Sequence, residues 1–147
     1  MWINDGYVLL HRDVNDTNWS LPGGRVVTME DTYQSLKREF QEELHVEITI
    51  DKLYWVIENF FRYDEKDFHE IGFYYGITTE DTSFMNKRDF FGMEGNRLIY
   101  RWFPIDSLKE CELYPVVLRN ALQEIPEHTK HLINNELSTI GFSKRNR

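Results

Sequence analysis

The feature that most constrains this chain is a set of fixed intervals between residues 24 and 46. Gly24 is followed after five residues by Glu30. Seven further residues lead to Arg38-Glu39-Phe40-x-Glu42-Glu43 and, after two more, to Val46. In the same stretch Tyr33, Leu36, Phe40 and Leu44 recur at steps of three and four. That spacing predicts a helix over residues 30–44 with these four as its buried stripe. Thr28 followed by Asp31 resembles a capping box, with Asp in place of the usual Glu or Gln. Pro22-Gly23-Gly24 just before it is a strong break.

Residues three and four apart share a helical face, and Glu39, Glu42 and Glu43 stand in that relation. At about 100° per residue they span an arc of roughly 100° beside the apolar stripe. Glu43 is expected at the stripe's edge, partly desolvated. Glu39 and Glu43 are like charges at i and i+4, a pairing that costs a few tenths of a kcal/mol in water. A lower dielectric raises that cost. A divalent cation would turn the repulsion into ligation, and Mg²⁺ suits hard oxygen donors. Taken alone, an acidic helical face is more often just solvated, because glutamate is common in helices.

The intervals shift that balance. The pattern resembles the signature of the Nudix hydrolases, Gly-x5-Glu-x7-Arg-Glu-U-x-Glu-Glu-x-Gly-U, where U is a bulky apolar residue. Phe40 and Val46 stand at the two U positions. At roughly 7% per residue type, the six strictly specified matches coincide by chance about once in 10⁷ windows. Leu21-Pro22-Gly23-Gly24 resembles the family's approach to this box, and Arg101-Trp102-Phe103-Pro104 its late strand. There are two departures. His45 occupies a position that is usually Gly just past the helix end, where a left-handed conformation is common, so an altered cap is expected. Only Met1-Trp2-Ile3 precede the turn Asn4-Asp5-Gly6, so either the family's first strand is cut short or the true start lies upstream.

The resemblance implies roles. Glu39, Glu42 and Glu43 would hold Mg²⁺, with Mn²⁺ as an alternative, and the Gly23 carbonyl would add a ligand. Arg38 and Glu30 would form an ion pair that fixes the loop onto the helix. A water would attack phosphorus and break a diphosphate link. Its base would be a box glutamate, Glu42 or Glu43, or a loop carboxylate, for which Glu94 is the candidate. Arg25 would reach a substrate phosphate. Trp19, Phe60, Phe61 and Tyr63 would stack on a base, although aromatics in strands are more often core. The implied activity is Mg²⁺-dependent cleavage of a nucleoside diphosphate derivative: a nucleotide, a nucleotide sugar or ADP-ribose. A non-catalytic nucleotide sensor on the same fold is the alternative. An isomerase on this scaffold would need a reactive cysteine, and Cys111 stands in an unsuitable context.

Elsewhere, residues 7–11, 46–50, 54–62, 70–78 and 98–103 read as strands. Residues 63–68 read as a charged hairpin loop and 79–95 as a long irregular one. Residues 115–125 read as a second helix with Pro115 in its first turn. The fold class expected is α/β (α+β), a Nudix-like α/β/α sandwich with a mixed sheet flanked by helices, forming one domain over 1–147 with a basic tail at 143–147. With 17 basic and 25 acidic residues the formal net charge is −8. That argues against nucleic-acid binding, which needs a basic surface, and leaves a small anionic substrate open where a cation inverts the field. One cysteine, no basic-then-apolar start and no run near 20 apolar residues make a cytoplasmic protein the expectation, with no membrane partner. A homodimer is compatible with an exposed strand edge.

Overall fold

The structure, a computed structural model, describes residues 1–138 apart from 86 and 87. The proposed basic tail at 143–147 lies outside the described residues. Among the described residues, seven strands form two sheets. Strands β1 (Ile3–Asn4), β2 (Tyr7–Asp13), β5 (Asp89–Phe91) and β6 (Leu98–Pro104) lie in the order β1-β2-β6-β5. Strands β3 (Thr49–Tyr63), β4 (Lys66–Thr78) and β7 (Lys130–Asn135) lie in the order β4-β3-β7. β3 runs antiparallel to β4 and parallel to β7, so this sheet is mixed, as expected.

The alternation of β2 sets the layers. Successive side chains of a strand point to opposite faces. Leu9 joins a cluster with Phe40, Leu44 and Tyr100, while Val8 and Leu10 join one with Trp55, Ile57, Leu108 and Leu118. The β2–β6 sheet is therefore covered on both faces, with helix α1 (Thr32–Leu44) on the Leu9 side.

Helix α1 starts two residues later than the spacing predicts. Its N-cap is Asp31, whose carboxylate accepts the Gln34 backbone N–H at 2.8 Å, while the Gln34 side chain accepts the Asp31 N–H at 3.2 Å. The capping box is thus Asp31/Gln34 and not Thr28/Asp31. Tyr33 falls off the buried stripe. It is 53% exposed, with its ring 5.1 Å from that of Tyr75, and Ser35 takes the buried place in the first turns. The later start leaves Tyr33 in the first turn of the helix.

Three other expectations change. Val46 and Ile48 are buried, but residues 45–48 form no ladder and pairing begins at Thr49. The β3–β4 hairpin closes on a two-residue turn, Asp64-Glu65, with φ of 49° and 62°. The second helix shrinks to α2 (Leu118–Ala121), because i→i−3 bonds such as Leu118 N–H to Pro115 O and Gln123 N–H to Asn120 O flank it. Pro126 then bars the preceding residue from helical backbone. Strand β7 is absent from the sequence reading because its segment, Lys-His-Leu-Ile-Asn-Asn, lacks an apolar alternation. No helix among the described residues is long and apolar enough to cross a membrane.

Candidate active site

The loop from Leu21 to Glu30 folds back over the exposed side of α1. Arg38 holds it there. Its Nε and one terminal nitrogen donate to the two oxygens of Glu30 at 2.7 and 2.9 Å, a fork-on-fork pair. The same nitrogen donates to the Arg25 carbonyl at 3.4 Å. Glu30 also accepts the Val27 N–H at 3.2 Å. Hydrogen bonding from Arg38 pulls the Glu30 carboxyl down to about 2 from an ordinary 4.5. The eight-residue separation, too long for neighbours on one helical face, is bridged because Glu30 lies ahead of the helix.

Gly23 and Gly24 bring the loop against the carboxylates. Gly23 has φ of +156°, a region left almost wholly to glycine. Gly24 lies on the Glu39 carboxylate so closely that an added Cβ would come within 2.2 Å of its oxygen. Glu39 and Glu43 sit one turn apart on α1, and their side chains are 18% and 13% exposed. With Gly23, His11 and Tyr100 they line a gap of about 10 Å³. Glu42 lies further out, 47% exposed.

Cationic side chains neutralise all three glutamates. The other terminal nitrogen of Arg38 donates to Glu39 at 3.0 Å and to Glu42 at 3.1 Å. Arg97, just before β6, donates to Glu43 at 3.0 Å. Burial raises the Glu43 pKa, Arg97 opposes this, and the charges of Glu94, Glu39 and Glu42 raise it further. The loop that carries Glu94 is docked on the end of α1, where the Met93 N–H donates to the Glu43 carbonyl at 2.7 Å. Gly92 allows this contact, since a Cβ there would meet the Glu43 carbonyl oxygen at 3.1 Å.

These residues fit a hard divalent cation by the chemistry of the donor set. The charges of Glu94, Glu39 and Glu42 all bear on Glu43, and the glycine loop lies against Glu39 and Glu43. As they stand, no three acidic, histidine or cysteine side chains among the described residues are gathered closely enough to hold an ion. Glu39 and Glu42 point to Arg38, so ligation requires them to turn from the guanidinium.

His45 ends α1 at φ 54°, ψ 35°, the left-handed conformation that a glycine would take there. Its N–H bonds to Gln41 O at 3.1 Å and the Val46 N–H to Phe40 O at 3.3 Å. The departure from the expected glycine leaves the helix end capped and the glutamates in place.

A domain comparison now decides the family. Residues 2–124 match the model of the NUDIX domain. The chain belongs to the Nudix hydrolases. These enzymes act on phosphoric anhydride bonds and generally use divalent metal ions. No curated protein matches it by sequence. Solved structures share its fold. A UDP-X diphosphatase superposes with a TM-score of 0.59 at 19% identity, over 89% of this chain and 63% of that one. An ADP-ribose pyrophosphatase from Streptococcus suis gives 0.54 at 14%, over 90% and 92%. The mutator MutT protein from Bacillus halodurans gives 0.53 at 16%, over 89% and 85%. At these identities the likeness is one of fold, the α/β/α sandwich of this family.

Two larger cavities adjoin the glycine loop of this Nudix chain. One, of about 710 Å³, is lined by Gly23, Gly24, Arg25, Glu70 and Tyr75 among others. The other, of about 610 Å³, is lined by Trp19, Asn59, Phe61, Tyr63, Glu70 and Tyr74. They share Leu21, Glu70 and Tyr74. Of the expected stacking residues, Phe61 and Tyr63 line the second cavity. Trp19 lines it too but is a core residue, 7% exposed and 4.8 Å edge-on from Phe103. Phe60 does not line it. Strand alternation puts Phe60 on the opposite face from Asn59 and Phe61, where it stacks on His69 at 4.1 Å. The Cys111 thiol is pushed up by burial and lies outside these cavities. Arg97, Gly92, His11 and Asn59 were beyond the sequence reading. None falls at a spacing tied to the glutamate helix.

Proposed function

We propose that this protein is a Mg²⁺-dependent pyrophosphohydrolase that cleaves the diphosphate link of a nucleoside diphosphate derivative by water attack at phosphorus. The observation that carries the reading is the packing of Gly23 and Gly24 onto Glu39 and Glu43, clasped by Glu30 and Arg38. Glu39, Glu42 and Glu43, with the Gly23 carbonyl, are the donors for the ion. Bound there, Mg²⁺ would supply neutralising charge for phosphate oxygens and lower the pKa of a water.

The protein's own groups do the rest. Arg38, paired with Glu30, holds the loop on the helix. Arg25 is exposed on the rim of the larger cavity, where it would meet a phosphate. Glu94 is near enough for its charge to act on Glu43. It would take the proton of the attacking water as the phosphorus–oxygen anhydride bond breaks. The neighbouring aromatic cavity would hold the base, stacked by Phe61 and Tyr63 with the edge of Trp19 beside them. The protein's structural neighbours include a UDP-X diphosphatase and an ADP-ribose pyrophosphatase, which supports a nucleotide-linked diphosphate as the substrate class.

A screen of nucleotide-linked diphosphates with Mg²⁺, reading released phosphate or nucleoside monophosphate, tests this. Turnover of at least one member that disappears on chelation is the expected result. Metal binding with no turnover of any member would instead favour the nucleotide sensor.

A further inference from the structure

On β2, Nδ1 of His11 is the one buried side-chain nitrogen or oxygen among the described residues that has no hydrogen-bond partner. Its backbone is fixed on both sides, by paired bonds to Ser20 at 2.9 Å each and by its register opposite Tyr100. Two residues on from Leu9, which packs on Phe40 and Leu44 of α1, it faces the same side of the sheet as that helix. The ring lies 5.3 Å from that of Tyr100. Its Nδ1 is shut off from solvent and makes no hydrogen bond among the described residues. The gap that His11 lines with Gly23, Glu39 and Glu43 is about 10 Å³, close to the smallest space that admits one water or ion. A neutral imidazole with its proton on Nε2 presents a lone pair at Nδ1.

We propose that His11 supplies a nitrogen donor to the cation site of Glu39, Glu43 and Gly23, giving it a mixed oxygen–nitrogen character that favours Mn²⁺ over Mg²⁺. This rests on the metal-dependent reading above. Buried polar atoms are nearly always paired, and an ion in the gap would supply what Nδ1 lacks. Imidazole binds first-row transition ions well, in rising order from Mn²⁺, whereas Mg²⁺ keeps to oxygen and water.

Pulsed electron paramagnetic resonance on the full chain loaded with Mn²⁺ alone tests the proposal. The expected result is nitrogen modulation that changes from the ¹⁴N to the ¹⁵N pattern when only histidine is ¹⁵N-labelled, a test that needs no substitution. His11→Gln should abolish the modulation, weaken Mn²⁺ binding about tenfold, and change Mg²⁺ binding less than about twofold. His45→Asn should leave the modulation intact. Bound Mn²⁺ without nitrogen modulation, or modulation lost with His45→Asn instead, would overturn the role of His11 while leaving metal-dependent hydrolysis standing. No Mn²⁺ binding, or binding unaffected by Glu39→Gln, would overturn both.

Discussion

Gly24 and Glu39 are in direct contact. The glycine of the loop lies on the glutamate of the helix so that a methyl group would sit 2.2 Å from one carboxylate oxygen and 2.7 Å from the other. The obstructed group is the end of a flexible side chain, so Gly24→Ala should displace the carboxylate and not the backbone. The loop is exposed there, and the melting temperature should shift little, by less than about 1 kcal/mol of stability. Mg²⁺ affinity should fall about tenfold or more. A normal metal titration in Gly24→Ala would show that the position of Glu39 is not used.

Glu42→Gln and Glu43→Gln should each lower kcat by about a hundredfold or more and weaken metal binding. In metal-free buffer the raised pKa of Glu43 means that the fold disfavours its charged form. Glu43→Gln should therefore melt at or above the wild-type temperature at neutral pH. Glu94→Gln should lower kcat and remove the acid limb of its pH profile. Retention of both in Glu94→Gln would assign the base to Glu42 or Glu43.

The Glu30–Arg38 clasp has a pH signature. Glu30 titrates at about 2 in the folded chain against an ordinary 4.5, and a depressed carboxyl stabilises the charged, folded form. Its contribution is fully present above pH 4.5 and is lost as pH falls through about 2. The stability gap between wild type and Glu30→Gln, from denaturant unfolding, should be constant above about pH 5 and close between about pH 4.5 and 2. A gap that persists at pH 2 would place the effect elsewhere.

Phe60 and Phe61 should separate in kinetics. Phe61 lines the aromatic cavity and Phe60 stacks on His69 across the sheet. Base stacking is worth about 1–3 kcal/mol, so Phe61→Leu should raise KM about tenfold with little change in kcat. Phe60→Leu should leave both near wild type. Equal effects would argue against the cavity as the base site.

His45→Gly should stabilise the chain by about 0.5 kcal/mol, since it relieves a left-handed residue at φ 54°. The unfolded state of the glycine variant is more flexible, which limits the gain. Thermal unfolding that shows a loss would mean that the histidine side chain contributes contacts outweighing its backbone strain.

The sequence alone determined the glutamate helix. Spacing along a helix is a local property, so three carboxylates on one face could be read from intervals, while the pairing of Glu30 with Arg38 came from the family resemblance that those intervals carry. Strand positions were also legible wherever aromatic and β-branched residues concentrated, as in β3 and β4. Polar β7 was not, because its pairing with β3 comes from a neighbour about 75 residues away and not from its own pattern. The Phe60 and Phe61 pair shows the same limit on a smaller scale: adjacency in sequence becomes opposition across a sheet.

Only the tertiary structure decided what faces the glutamates from outside their helix. Arg97 reaches Glu43, Gly92 and Met93 dock on the end of α1, and His11 arrives from β2. Those contacts join segments far apart in the chain, where no spacing rule operates. Long-range packing also determined that Gly24 rests on Glu39, the contact that turns a row of acids on a helix into a shaped site.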